Sequence, residues 1–249
     1  MAKLKLEDVR EDFINEGWEL LSTVYVNLNS ELEAKCPEGH LNFVPYKKWR
    51  SRKLCPVCLE NNVIHIAKTN IPPKEPGVMR VLALDAATKD TGWAVFDDKE
   101  LVDFGVFRVD GDDAIARIAI IRQWLLGVIE AWKPDKIGTE DIQLQSFYNT
   151  HTRSQTQNVT LYKTLAHLQG VMMVTLHEKK IDHLIIHVST WRSYCGITAK
   201  KRDDQKRAAQ MKVSQWYGVQ VNNDVAEAIC LGKYLAEKYI KNNSMVSWE

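Results

Sequence analysis

Three cysteines and a histidine near the start of the chain constrain its folding more than any other feature. Cys36 and His40 bracket the sequence CPEGH, and Cys55 and Cys58 bracket CPVC after an interval of fourteen residues. Thiolate and imidazole groups on two short turns can close a tetrahedral zinc site, which stabilises a unit too small to rely on its own core. Four protein ligands close such a site, so the sequence predicts one structural zinc ion.

The remaining cysteines give no sign of a disulfide framework. The chain has five cysteines, an odd number, and Cys195 and Cys230 stand apart in surroundings where a packing role is expected. Chance clustering of thiols with a histidine is the alternative for the N-terminal group. His65 is the only spare ligand near that group.

Length and composition are those of an ordinary globular chain. The 249 residues are 45% hydrophobic and 26% charged, which argues against disorder, a fibrous repeat or a membrane protein. No apolar run approaches the roughly 20 residues that span a bilayer, and the start MAKLKLEDVREDF is unlike a secretory leader, so a cytoplasmic protein is expected. The net charge is +1, so nucleic-acid binding would depend on local basic clusters.

A proline-rich stretch divides the chain. The segment NIPPKEPGV, within residues 69–78, cannot continue a helix or lie in a central strand. We therefore expect a small zinc-binding module at 1–68, a linker at 69–78 and a larger domain at 79–249. In the module, LKLEDVREDFINEG predicts a helix that ends at Gly17, and WELLSTVYV and NSELEAKC predict two short strands.

The larger domain has the alternating pattern of an α/β protein. VMRVLALD, TGWAVFDD and LVDFGVFRVD predict three successive strands, followed by a helix at 112–132 and the strand DKIGTED. A helix at about 154–179, the strand HLIIHVS and two helices near 199–217 and 224–241 complete the order. We expect a mixed sheet with an antiparallel edge, a parallel remainder and flanking helices.

Acidic residues stand at the ends of several of these elements. Asp85 ends the strand VLALD, and Glu140 and Asp141 end the strand KIGTED. Asp224 and Glu227 open the last helix three residues apart and share a face. Each acid alone has an ordinary explanation, such as a turn cap, an arginine partner or a helix N-cap. Converging carboxylates would repel unless divalent cations neutralised them, so together they predict magnesium or manganese ions and metal-assisted phosphodiester hydrolysis.

Three segments resemble the ribonuclease H-like superfamily in the form found in RuvC-type Holliday junction resolvases. VLALDAATKDTGWAVF resembles the opening strand pair, KIGTEDIQLQ the strand with a terminal glutamate, and DVAEAICLG the last helix with two acids. The resemblance spans roughly residues 79–240 and implies a ribonuclease H-like fold and a magnesium-dependent endonuclease that cuts branched DNA as a homodimer. It implies a catalytic set holding two Mg²⁺ or Mn²⁺ ions: Asp85, Glu140, Asp224 and Glu227.

The chain departs from the bacterial resolvases at two points. Glu227 stands where those enzymes usually have aspartate, which lengthens the side chain by one methylene. The bacterial members also lack the N-terminal zinc module, and its presence resembles a phage or mobile-element branch. We therefore expect the protein in a bacterial or phage-infected cell.

Two basic segments are candidates for contact with nucleic acid. GITAKKRDDQKRAAQMK resembles the family's glycine loop and lysine-bearing helix, with Lys206 as the catalytic lysine and Lys200 and Lys201 beside it. In the module, FVPYKKWRSRK interleaves basic and aromatic side chains that suit phosphates and exposed bases. A solvated helix face is the alternative in both cases. The candidates in the module are Lys47, Lys48, Trp49, Arg50, Arg52 and Lys53.

Two adjacent aromatic residues follow the second acidic strand. Phe147 and Tyr148 lie in the polar segment QLQSFYNTHTRSQTQN, where the family places an aromatic side chain that stacks at the junction centre. Insertion between splayed bases suits a branched substrate. Anchoring of the loop in the core is an equal alternative.

These features favour a two-domain nuclease over two other classes of protein. A nuclease of the same fold could act on RNA, or on an RNA-guided or transposon-associated target, but the chain offers no large lobe to cradle a guide. A non-catalytic zinc protein that binds DNA is the other alternative, and the intact set of four acids argues against it.

Overall fold

The computed structural model describes residues 4–60, 71–144, 146–149 and 154–242. The chain divides into two compact units. The first runs to Pro73 and also includes Arg108–Asp110 and Ala119–Lys133. The second comprises Lys74–Phe107, Gly111–Ile118 and the chain from Pro134 onward.

The N-terminal part of the first unit contains an antiparallel sheet and short helices. Helix α1 (Leu6–Asn15) is followed by β1 (Glu19–Leu20), β2 (Glu31–Lys35), β3 (Leu41–Pro45), α2 (Tyr46–Arg52) and α3 (Pro56–Glu60). The strands lie in the order β1-β2-β3, so the predicted helix and strand pair are confirmed, although β1 has only two residues. The basic segment FVPYKKWRSRK contains the end of β3 and all of α2, a boundary that its composition did not reveal.

Aromatic rings form the core of the first unit. Val9 and Phe13, four residues apart on α1, are fully buried. Phe13 stacks on Trp49 of α2 with the ring centroids 3.6 Å apart, and Trp18 meets Trp49 edge-on at 5.9 Å. Gly17, at φ +73°, lets the chain turn out of α1. Stacked rings therefore hold α1 and α2 against each other.

The second unit is built on a sheet that has, among the described residues, five strands in the order β10-β7-β4-β5-β6. β4 (Arg80–Asp85), β5 (Asp90–Asp97) and β6 (Glu100–Arg108) come first, and α4 (Ala114–Trp132), most of which belongs to the first unit, leads to β7 (Lys136–Glu140). The hairpin β8 (Ser146–Asn149) and β9 (Ser154–Gln157), helix α5 (Val159–Glu178), β10 (Asp182–Ile186), α6 (Val188–Tyr194), α7 (Arg202–Tyr217) and α8 (Asn223–Asn242) follow. None of the described helices is both long and apolar enough to cross a membrane.

The mixed α/β sheet with an antiparallel edge and a parallel remainder is confirmed. β10, β7 and β4 are parallel, and β5 runs antiparallel to β4. The long helix was predicted from residue 154, but Ser154–Gln157 pairs with β8 and the helix begins at Val159. The polar sequence SQTQ suits a strand as well as a helix start, so periodicity placed the boundary too early. Helix α6 was not predicted.

Helix α8 approaches the sheet at two glycines. A β-carbon at Gly92 of β5 would lie 2.1 Å from the backbone oxygen of Asp224, and one at Gly138 of β7 would lie 2.1 Å from Leu235 Cδ1. At Gly92 the clash is with backbone, so only glycine admits the helix there, whereas at Gly138 the side chain of Leu235 would have to move. Because Gly92 pairs with Asp85, the first turn of α8 lies beside the end of β4.

Candidate active site

The sheet brings two of the predicted acids to one edge. Leu84 of β4 pairs with Thr139 of β7 in a parallel register, so the next residues, Asp85 and Glu140, end their strands side by side. Ile186, at the end of β10, pairs with Glu140. The carboxyl ends of the three parallel strands therefore meet at this edge, which is where open α/β sheets commonly hold ligands.

The first turn of α8 adds the other two acids. Asn222, just before the helix, accepts a hydrogen bond from the backbone N–H of Val225 at 2.9 Å and so caps the helix. Asp224 therefore does not cap α8, which was the ordinary explanation for an aspartate at this position. Asp224 and Glu227 lie one turn apart and face the same cleft.

All four predicted acids and Lys206 line one cleft of about 750 Å³. Asp141 and Lys200 also line it, whereas Lys201, exposed just before α7, is not among the described residues that do so. A cleft lined by both signs of charge suits cations on its acids and phosphates on its bases. Further basic side chains on its walls were not singled out from the sequence: Lys89, Arg117, Arg192 and Arg202.

Burial and mutual repulsion raise the pKa of the two acids at the strand ends. The pKa of Asp85 is well above its ordinary value, first because the carboxyl is buried and then because the other three carboxylates are close. Burial raises the pKa of Glu140 to about 7, against the opposing effect of Arg192. Buried carboxylates that repel one another favour a shared positive partner, so this donor set fits hard divalent cations bound through oxygen.

Lys206 of α7 reaches the acid cluster. Its Nζ lies 3.9 Å from Asp224 Oδ1 and 3.9 Å from Glu227 Oε2. Its charge lowers the pKa of Asp85, against the larger effects that raise it. A lysine that faces both the carboxylates and the open cleft can pair with either an acid or a phosphate.

Arg117 supports the cleft and was not singled out from the sequence. It is 7% exposed, and its guanidinium donates from Nε to Thr88 O at 2.9 Å and from Nη1 to Gly111 O at 2.6 Å. It therefore fixes the loop between Asp85 and β5. A buried arginine has no periodic signature, because its carbonyl partners lie on other elements.

Helix α6 supplies two further contacts that the sequence did not indicate. Trp191 Nε1 donates to Glu140 Oε2 at 3.0 Å, and Arg192 Nη2 donates to Glu227 Oε1 at 2.7 Å. The partners lie 51 and 35 residues apart, so no spacing rule connects them. The sequence offered one signal: Trp191 and Arg192 follow closely after β10, a strand that ends at the site.

The cysteine–histidine pairs meet in the first unit as the sequence predicted, with one ligand atom from each of the four residues within 4.8 Å of the others. His40 Nδ1 lies 3.4 Å from Cys36 Sγ, 3.2 Å from Cys58 Sγ and 3.9 Å from Cys55 Sγ. A tetrahedral site with Zn–S near 2.3 Å and Zn–N near 2.0 Å has edges of about 3.5 to 3.8 Å. The cluster can therefore hold one zinc ion, with His40 bound through Nδ1. His65 lies outside the described residues.

Helix α2 is amphipathic, which corrects one predicted contact. Trp49 is 1% exposed and stacked on Phe13, so the predicted contact of Trp49 with nucleic acid is wrong: its ring belongs to the core. An aromatic pair at i, i+3 among basic residues was the signal of a helix with a buried face. The other side of α2 and the residue after it present basic groups: Lys47, Lys48, Arg50 and Lys53 are exposed.

Two of these exposed cations already have acidic partners. Arg50 lies 3.7 Å from Asp12, and Lys53 pairs with Glu16. Both pairs are partly solvated, so they are weak and leave the cations available to a phosphate.

Three predicted contacts have side chains outside the described part of the structure. They are Arg52, at the end of α2, and Phe147 and Tyr148, whose backbone lies in β8 paired with β9. Their contact with DNA, and the core-anchor alternative for the two aromatics, stay predictions.

Solved structures of other proteins are similar to the structure of this chain. Thermus thermophilus RuvC in complex with a Holliday junction substrate matches with a TM-score of 0.51 at 16% identity, over 66% of this chain and 96% of that one. A second T. thermophilus RuvC structure matches with a TM-score of 0.50 at 17% identity, over 66% and 97%. The yeast mitochondrial Holliday junction resolvase has a TM-score of 0.48 at 13% identity, over 76% and 93%.

Sequence comparison adds nothing to this likeness. A scan against family models finds no match, and neither does a search of curated proteins. Identities this low establish shared architecture alone. The chain therefore contains the ribonuclease H-like fold of RuvC.

Proposed function

We propose that this chain is a metal-dependent endodeoxyribonuclease that cleaves branched DNA, including four-way junctions. The observation that carries the proposal is the cleft in which acids from two strands and one helix converge. The fold supports it, because the RuvC of T. thermophilus that shares it has been solved in complex with a Holliday junction substrate.

The acids are the proposed metal ligands. Two Mg²⁺ or Mn²⁺ ions, when bound, would activate a water and stabilise charge on the departing oxygen. Hydrolysis forms a bond between the water oxygen and phosphorus and breaks the bond from phosphorus to the 3′ oxygen, which takes up a proton. The residues that hold the ions are Asp85, Glu140, Asp224 and Glu227.

The basic residues of the cleft are proposed to hold the DNA backbone. Lys206 is placed between two acids and the open cleft, so its ammonium can pair with the scissile phosphate once cations neutralise the acids. Lys200, just before α7, and Arg202, its first residue, would bind neighbouring phosphates, whereas Lys201 does not line the cleft.

Residues 1–68 are proposed to form a zinc-stabilised module that contacts DNA, followed by the linker at 69–78. Its cysteine–histidine cluster has the size and donors for a closed structural site. Exposed Lys47 and Lys48 of α2 are candidates for phosphate contact.

A homodimer is part of the proposal. Cleavage of opposing strands at a four-way junction requires two active sites related by a twofold axis, and one cleft per chain supplies one of them. Paired, symmetric nicks would be the product.

The test compares substrates of matched length with the purified, zinc-loaded chain in Mg²⁺. Labelled four-way junction, flap, duplex, single strand and RNA–DNA hybrid are incubated with wild type, Asp85→Asn and a control, Asp112→Asn, whose exposed acid does not line the cleft. We expect the branched DNA to be cut fastest by wild type and the control, and Asp85→Asn to lose at least about 100-fold in rate.

The outcomes separate the rival functions. Preferred cleavage of RNA or of the hybrid would overturn the DNA assignment and keep the carboxylate site. Equal cleavage of duplex and junction would overturn branch selectivity. Binding of DNA without any metal-dependent cleavage would favour a non-catalytic zinc protein.

A further inference from the structure

Helix α6 is placed by the sheet at the edge where the acids meet. It begins at Val188, two residues after β10 ends at Ile186, and Ile186 pairs with Glu140 of β7. The connection is too short to let the helix move away from the carboxyl ends of the strands. Its position relative to Glu140 therefore follows from strand pairing.

Trp191 of α6 holds one oxygen of Glu140. The indole is fully buried, and its Nε1 donates to Glu140 Oε2 at 3.0 Å. An indole N–H can only donate, so it requires an acceptor here and selects one orientation of the carboxylate. The ring packs in the core of the second unit with Ile186 and Ile197, so the donor cannot swing away.

Arg192, the next residue, holds one oxygen of Glu227. Its Nη2 donates to Glu227 Oε1 at 2.7 Å, and its Nη1 donates to Gln205 Oε1 of α7 at 2.8 Å. Its guanidinium also lies 5.1 Å from the ring centroid of Trp191. The planar guanidinium is thus held by Glu227, by Gln205 and by the ring of Trp191. The other oxygen of Glu227, Oε2, lies 3.9 Å from Lys206 Nζ.

We infer that Trp191 and Arg192 are positioning residues for the metal site, because each binds one oxygen of a glutamate and leaves the other for a cation. Long, flexible glutamates need such support, since a ligand that rotates freely loses entropy when it binds a metal. The inference rests on the metal site of the proposed function, but not on the identity of the nucleic acid that is cut.

The test uses substitutions that conserve charge, so that a change in metal affinity reports orientation. Trp191→Phe keeps an aromatic ring and removes the indole N–H that donates to Glu140. Arg192→Lys keeps the positive charge and removes the planar guanidinium that donates to both Glu227 and Gln205. Each zinc-loaded variant is titrated with Mn²⁺ in the absence of nucleic acid, and free Mn²⁺ is measured by electron paramagnetic resonance. We expect the Mn²⁺ concentration at half-saturation to rise about 10-fold in each variant.

The controls are matched by residue type. Trp216→Phe changes a half-buried tryptophan that lies against Lys233, and Arg207→Lys changes an exposed arginine paired with Asp204. Both should keep the wild-type half-saturation. Melting temperatures without Mn²⁺ are measured alongside, because a purely structural role for Trp191 or Arg192 would lower stability and leave Mn²⁺ affinity unchanged.

Three outcomes decide the inference. Weaker Mn²⁺ binding in both positioning variants, with unchanged controls, supports it. If the wild type can be saturated with Mn²⁺ and both variants bind Mn²⁺ with the same half-saturation, the inference is overturned. The proposed nuclease function then still stands. Failure of the wild type to bind Mn²⁺ at its carboxylates overturns the metal site and this inference together. Arg192→Lys keeps the test decisive if Trp191→Phe does not fold.

Discussion

Replacement of Glu140 by glutamine should stabilise the protein in the absence of magnesium. The carboxyl of Glu140 has a pKa of about 7 in the folded chain against an ordinary value of 4.5. A folded state with the higher pKa binds more protons than the unfolded state between those values, so it loses stability as the pH rises through them. Glutamine is uncharged at every pH and resembles the protonated acid.

The magnitude follows from the two pKa values. At about 1.36 kcal/mol per pKa unit, the charged carboxylate costs about 3 kcal/mol at pH 8 and about 1.4 kcal/mol at pH 5.5. Glu140→Gln should therefore gain up to about 3 kcal/mol at pH 8, which raises the melting temperature of a unit this size by roughly 6 to 12 °C. The gain should shrink by slightly more than half at pH 5.5.

The measurement is differential scanning calorimetry at both pH values in buffer freed of divalent ions by resin, because a strong chelator would also remove the zinc proposed to bind at the cysteine–histidine cluster. Glu130→Gln, at an exposed position on α4, is the matched control and should show no gain at either pH. Adding Mg²⁺ at pH 8 should stabilise wild type and narrow or reverse the difference, since only wild type keeps all its ligands.

Two results would refute this reasoning. If Glu140→Gln is no more stable than wild type at pH 8, the buried carboxylate does not carry the cost that its raised pKa implies. If the gain is equal at pH 5.5 and pH 8, it comes from packing and not from charge.

Three further predictions can be checked with single variants. Gly92→Ala should lower stability by about 3 kcal/mol and abolish cleavage, because the new methyl would displace the backbone of Asp224; denaturant unfolding and a cleavage assay test both. Cys55→Ser should release the expected one zinc per chain, measured by elemental analysis, and unfold the proposed zinc module at 1–68 while the cleft keeps its Mn²⁺ binding. Lys206→Met removes a charge that lowers the pKa of Asp85, so the rising limb of the cleavage rate against pH should move to higher pH, besides a loss in maximal rate.

The two strands that end in acids show how much of the candidate site could be predicted from the sequence. VLALD and KIGTED are short apolar runs that each end in an acid, and parallel strands in one sheet must end at a common edge, so Asp85 and Glu140 could be placed together before the structure. Asp224 was ambiguous, because an aspartate near a helix start is a good cap. The hydrogen bond from Val225 to Asn222 resolved that ambiguity, and it depends on which residue begins the helix.

The basic segment of the first unit shows where composition misleads. Lys47 and Trp49 are near neighbours in FVPYKKWRSRK, and a list of residue types cannot tell a stacking tryptophan from a core one. In the structure α2 turns Lys47 to solvent and buries Trp49 against Phe13, since residues two apart on a helix lie on different faces.

The sequence by itself determined what depends on short-range pattern: the order of the main strands and helices of the larger domain, apart from β8, β9 and α6, the acids at its element ends, and the spacing of Cys36, His40, Cys55 and Cys58. Only the tertiary structure decided what depends on contacts between distant elements. Strand pairing and the close approach of α8 to Gly92 bring the carboxylates into one cleft. Trp191 and Arg192 donate hydrogen bonds to two of these carboxylates, Glu140 and Glu227, although each pair is more than 30 residues apart in the chain. Such contacts leave no periodicity in the chain, because each depends on how the whole sheet closes around its helices.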